Sequence, residues 1–132
     1  MLGKPDTAGQ TFTPAPTVVV VDDDPALLNA LTFGMEIEGY RVLPYPNAEA
    51  LLDRPFAQDI ACFVIDHRLP RIDGLFLIEL IRARGATAPA ILITSHPAAN
   101  IRARCSSLGV PIIEKPLLRN ELSDAIRLAL GA

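Results

Sequence analysis

The stretch Val18-Val19-Val20-Val21-Asp22-Asp23-Asp24-Pro25 decides how the rest of the chain is read. Four consecutive valines with no polar alternation fit a strand buried on both faces, and the acidic run with its proline marks where that strand stops and a helix starts. The same device recurs downstream. Cys62-Phe63-Val64-Ile65 ends at Asp66, Ile91-Leu92-Ile93 ends at Thr94, and Ile112-Ile113-Glu114 ends at Lys115. An open parallel sheet binds its ligands beyond the carboxyl ends of the strands, so these terminal polar residues are expected to share one crevice. Carboxylates, a hydroxyl and an ammonium meeting there suggest phosphoryl chemistry supported by a divalent cation.

Between the strands the spacing turns helical. With Asp24 as cap and Pro25 at the first helical position, Leu27, Leu28, Leu31 and Met35 recur on one stripe up to Gly39. A strand from Arg41 to Leu43 and a short helix opened by Asn47 lead to the strand ending at Ile65. Asp73 and Gly74 open a third helix that runs to about Arg84, followed by a strand over Ala90 to Thr94. A more polar fourth helix carries Ile101, Cys105 and Leu108 before Gly109. A last strand near Pro111 to Ile113 precedes a helix with Leu122, Ala125, Ile126 and Ala129 on one side. Strands alternating with helices predict an α/β fold, a doubly wound five-stranded parallel sheet covered by five helices. Residues 1–16 mix Pro, Gly and Thr without a period and are expected to form a flexible leader, which leaves 17–132 as the domain.

At 132 residues, half of them hydrophobic, the chain suffices for one core and not for two. A net charge of −3 without a basic run argues against a nucleic-acid surface. No apolar stretch approaches the roughly 20 residues that span a bilayer. Cys62 and Cys105 form no CxxC pair, and the amino terminus has no secretory apolar core. A reduced, cytoplasmic, soluble protein without a membrane partner is expected.

Adjacent carboxylates at Asp22 and Asp23 repel each other unless a cation or protons neutralise them, and a hard ion such as Mg²⁺ does so through oxygen ligands. Asp24 reads as a helix cap. Asp66 alone would pass for a loop residue, but opposite the aspartates it becomes a nucleophile or a metal ligand. Thr94 taken singly is a strand end, and Lys115 a surface lysine held in an X-Pro loop by Pro116. His67 and His96 read as exposed loop residues. Arg102 and Arg104 beside Ile101, Cys105 and Leu108 suggest that the fourth helix offers a surface to a transient protein partner.

The motifs VVVVDDDP, FVIDHRLPRIDG, ILITSHP and IIEKP, in this order and at these intervals, resemble the receiver domains of response regulators, FixJ-like ones in particular. The resemblance spans about residues 17 to 132 and implies the flavodoxin-like receiver fold of two-component phosphorelay signalling. It implies Asp66 as phosphoacceptor, Asp22 and Asp23 as the acidic pair holding Mg²⁺, the backbone carbonyl of Arg68 as a further ligand, and Thr94 and Lys115 as contacts to the phosphoryl oxygens. It also implies a sensor histidine kinase or phosphotransfer protein as donor, a downstream protein target, a homodimer as one form of output, and no enzymatic activity beyond self-phosphorylation and self-dephosphorylation. With no output domain following Ala132, a stand-alone receiver that binds no DNA is expected. Ile112 stands where many receivers carry Tyr or Phe. The rival reading is a haloacid-dehalogenase-like phosphatase, whose D-x-D motif Asp22 and Asp24 would supply, with Thr94 or Ser95 and Lys115 as later motifs.

Overall fold

In a computed structural model of the protein, residues 15–54, 59–117 and 120–131 are described. Strands and helices alternate throughout, as β1 (Thr17–Val21), α1 (Pro25–Ile37), β2 (Arg41–Tyr45), α2 (Ala48–Leu52), β3 (Ile60–Asp66), α3 (Gly74–Ala83), β4 (Ala90–Thr94), α4 (Ala99–Leu108), β5 (Ile112–Glu114) and α5 (Glu121–Ala129). All strand pairings are parallel, in the order β2-β1-β3-β4-β5. This is the doubly wound five-stranded sheet that the alternation predicts. The expected leader falls mostly outside the described residues.

The unbroken apolar strands are explained by burial on both faces. Val19, Val21, Phe63, Ile65 and Leu92 pack with Leu51, Leu75, Leu77, Ile78, Ile81 and Cys105. Their alternates Val18, Val20, Cys62, Val64, Ile91 and Ile93 pack with Leu28, Met35, Leu122 and Ile126 on the other side. Period-two alternation thus feeds two cores at once. β2 is an edge strand, where Pro44 withholds no ladder donor that a neighbour needs.

Local capping sets the helix starts. The Asp24 carboxylate accepts from the backbone N–H groups of Ala26 and Leu27, Asn47 from Ala50, and Asp73 from Phe76. α4 is preceded by Ala98, which offers no capping side chain, and followed by Gly109 in the left-handed region with φ 67°.

The apolar residues of α4 turn inward while its arginines stay on the surface. Cys105 is buried, Ile101 and Leu108 pack against the sheet core, and both arginines are already paired, Arg102 with Glu114 and Arg104 with Glu79 at 2.8 Å. On a helix this polar the few apolar residues are needed to attach it at all.

Candidate functional site

Strand register assembles the site. Val21 pairs with Ile65, so the next residues, Asp22 and Asp66, leave the sheet side by side. Asp66 pairs with Ile93, which puts Thr94 one step beyond it, and Thr94 pairs with Glu114, which puts Lys115 one step further. The backbone N–H of Lys115 donates to the carbonyl of Thr94 at 2.8 Å and closes that corner.

Asp22 and Asp66 are buried, and Asp23 faces solvent. One carboxylate oxygen from each lies within 4.8 Å of those of the other two. The Asp24 N–H donates to Asp22 Oδ1 at 2.9 Å and fixes that carboxyl, while Asp22 Oδ2 and Asp66 Oδ1 are buried without a well-formed hydrogen bond. Their compensation is ionic. Lys115 Nζ stands 3.0 Å from Asp66 Oδ1 and 3.7 Å from Asp22 Oδ2. One ammonium cannot neutralise three carboxylates.

Burial is the largest influence on Asp66 and raises its carboxyl above the ordinary value of 3.8; the Lys115 ammonium pulls it down and the Asp23 charge pushes it up. Burial likewise raises Asp22, against the hydrogen bond from Asp24 and with the charge of Asp66 adding to the rise. Orphaned buried oxygens whose ionised form is penalised are the condition a hard divalent cation relieves. The three-oxygen set fits Mg²⁺ in ligand chemistry. The Arg68 backbone also draws the Asp66 carboxyl down, as the smallest of the influences on it.

Thr94 is buried at the same strand ends, its hydroxyl only weakly engaged with the Ser95 carbonyl at 3.4 Å and therefore available to another acceptor. A cleft of about 570 Å³ opens beside the carboxylates, lined among others by Asp23, Arg68, Thr94, His96 and Ile101. His67 lines it too. Its Nδ1 is buried without a partner, so His67 is less exposed than a loop position suggests, and His96 is exposed with φ 46°. Nothing in local sequence marks His67, because its burial comes from the loop folding back onto α3.

Asp24 does not join the cluster. Both of its acceptor contacts go to the first turn of α1, which leaves the D-x-D reading without its second carboxylate. The thiols are inert as well, since burial pushes Cys62 up to about 12 and raises Cys105. Among the described residues no helix is long and apolar enough to cross a membrane.

The chain is similar to known proteins over most of its length. It is 36% identical over 115 residues to the transcriptional regulatory protein FixJ of Azorhizobium caulinodans, covering 86% of this chain and 54% of that protein. Against FixJ of Bradyrhizobium diazoefficiens it is 30% identical, with 86% and 56% covered. The chain thus spans about half the length of the curated relatives it matches. Among solved structures it superposes on the crystal structure of FixJ-N with a TM-score of 0.77 at 29% identity, over 90% of this chain and 96% of that one. The model of the response regulator receiver domain matches residues 18–127, from the first strand to the last helix, and the chain therefore belongs to the response regulator receiver domains of two-component systems.

Proposed function

We propose that Asp66 is the phosphoacceptor of this receiver, working with Mg²⁺ held by Asp22, Asp23, Asp66 and the carbonyl of Arg68. The observation that carries the reading is the position of Lys115 Nζ, 3.0 Å from a buried Asp66 carboxylate oxygen. A carboxylate oxygen of Asp66 attacks the phosphorus of the donor, an acyl-phosphate bond forms, and the bond from phosphorus to the donor's leaving group breaks with its electron pair going to that group. When bound, the cation supplies Lewis-acid stabilisation of the phosphoryl oxygens. Lys115 offsets charge on the same oxygens, and the Thr94 hydroxyl donates to one of them once the group is in place. The donor is a sensor histidine kinase or a phosphotransfer protein, and the output is a changed surface offered to a protein target.

Intact-mass analysis after incubation with acetyl phosphate and Mg²⁺ tests the assignment. Wild type gains one phosphoryl group and Asp66→Asn gains none. Equal uptake by the two proteins overturns it.

A further inference from the structure

Of the ten residues of α3, the first has no side chain, and the space where one would begin is already filled. A Cβ on Gly74 would collide with the carbonyl oxygen of Asp66 and stand 2.8 Å from the Cα of His67 and 2.9 Å from the carbonyl carbon of Asp66. Real Cβ atoms do not approach backbone so closely. The obstacle is backbone rather than the tip of a flexible side chain, so it can yield only by moving the strand end itself. At the other described glycines, Gly34, Gly39, Gly85, Gly109 and Gly131, a Cβ would meet nothing within 4 Å.

The contact is bonded as well as close. The Gly74 N–H donates to the His67 carbonyl at 2.8 Å, and the intervening loop is cross-tied by Leu69 N–H to His67 at 3.1 Å and Ile72 N–H to Pro70 at 2.9 Å. The loop is therefore a ring that opens at Asp66 and closes at Gly74, with Arg68 on its rim. α3 is in turn anchored by buried Leu75, Leu77, Ile78 and Ile81, so it cannot retreat to make room.

We infer that Gly74 is a positioning residue for the metal centre: by letting the start of α3 rest against the backbone of Asp66 and His67, it holds the Asp66 carboxylate in register with Asp22 and Asp23. The inference rests on the acidic cluster being a Mg²⁺ site and adds a residue that touches neither metal nor phosphoryl group. A methyl group at 74 displaces the strand end and misaligns the three oxygens, and disturbing groups that orient a metal ligand lowers affinity by roughly 10- to 100-fold.

The test is direct Mg²⁺ titration, by calorimetry or by amide NMR shifts, of wild type, Gly74→Ala and Leu77→Ala in the metal-free protein. The expected result is Mg²⁺ affinity at least about tenfold weaker in Gly74→Ala, and affinity unchanged in Leu77→Ala, which removes core packing from the same helix and keeps glycine against the Asp66 backbone. Phosphorylation of Gly74→Ala by acetyl phosphate should then recover as Mg²⁺ is raised, the apparent Mg²⁺ constant moving more than the plateau rate. If Gly74→Ala does not fold, hydrogen exchange at the Gly74 amide of wild type decides, because a clamp over the site is slowed several-fold by Mg²⁺ whereas a plain helix start is not. Wild-type affinity in Gly74→Ala, equal weakening in Leu77→Ala, or in the exchange experiment an unchanged rate, overturns the inference alone. No Mg²⁺ binding by wild type overturns it together with the metal reading.

Discussion

α3 and α4 are both ten residues long and pack on the same face of the sheet, and the cleft is lined by Asp73, which caps α3, and by Ile101 of α4, yet the two helices are attached by different physics. α3 buries Gly74, Leu75, Leu77, Ile78 and Ile81 and is capped by Asp73. α4 buries Cys105, has no side-chain cap, and is held at its edges by polar ties, Arg104 to Glu79, Arg102 to Glu114, and Arg82 of α3 to the Leu108 carbonyl at 2.7 Å. The two ion pairs among these ties are exposed and individually weak, whereas buried apolar contacts are not. The loop that follows Asp66 is therefore built onto the fixed helix. Thr94, at the end of β4, leads into the loosely held one.

Truncating one core contact on each helix should give the largest contrast. Leu77→Ala is expected to cost about 2–5 kcal/mol, because its side chain is fully buried, and Ile101→Ala, half-buried at the edge of the same core, about 1 kcal/mol. Urea unfolding of the two variants measures the difference, and similar costs would erase the distinction between the helices.

The two site residues should diverge next. A carboxyl whose folded pKa is raised binds its proton more tightly in the fold, so Asp66 favours the native state below its ordinary value of 3.8, and that contribution is lost as pH rises through the higher folded value. Neutralising it by Asp66→Asn should accordingly stabilise the metal-free protein at pH 7 by on the order of 1 kcal/mol, with the gain shrinking toward pH 4. Thr94→Val carries no charge and should show no such pH dependence. Thermal unfolding across that range in the absence of Mg²⁺ checks both, and a loss of stability in Asp66→Asn at pH 7 would mean that the Lys115 ion pair outweighs burial.

The smallest effect should come from the edge ties. Arg104→Ala is expected to cost about 0.2–1 kcal/mol, less at high salt, because both partners of the pair are well exposed. A salt-independent loss of several kcal/mol would show α4 to be anchored after all.

How much of this was legible in the sequence follows from the same contrast. The strands, α1 and α3 announce themselves because buried elements must be apolar and their ends must be polar, and residues that finish parallel strands in register have little choice but to converge. Asp22, Asp66, Thr94 and Lys115 were found that way. What stayed hidden depends on one segment approaching another. Gly74 looks like an ordinary helix start until the backbone of Asp66 is seen against it, and His67 looks like a loop residue until the ring closes over it. The arginines of α4 look free in one dimension, because Glu79 and Glu114 lie on other elements.

Residue-resolved NMR of the Mg²⁺-loaded protein, before and after addition of a beryllium-fluoride phosphoryl mimic, tests the division of labour most directly. The large shifts and changes in amide exchange should follow Thr94, the loop from Ser95 to Ala98 and α4, while amides of α3 beyond its first turn stay in place. Displacement of α3 as large as that of α4, or no response anywhere beyond the immediate neighbours of Asp66, would contradict a site built with one fixed and one yielding wall.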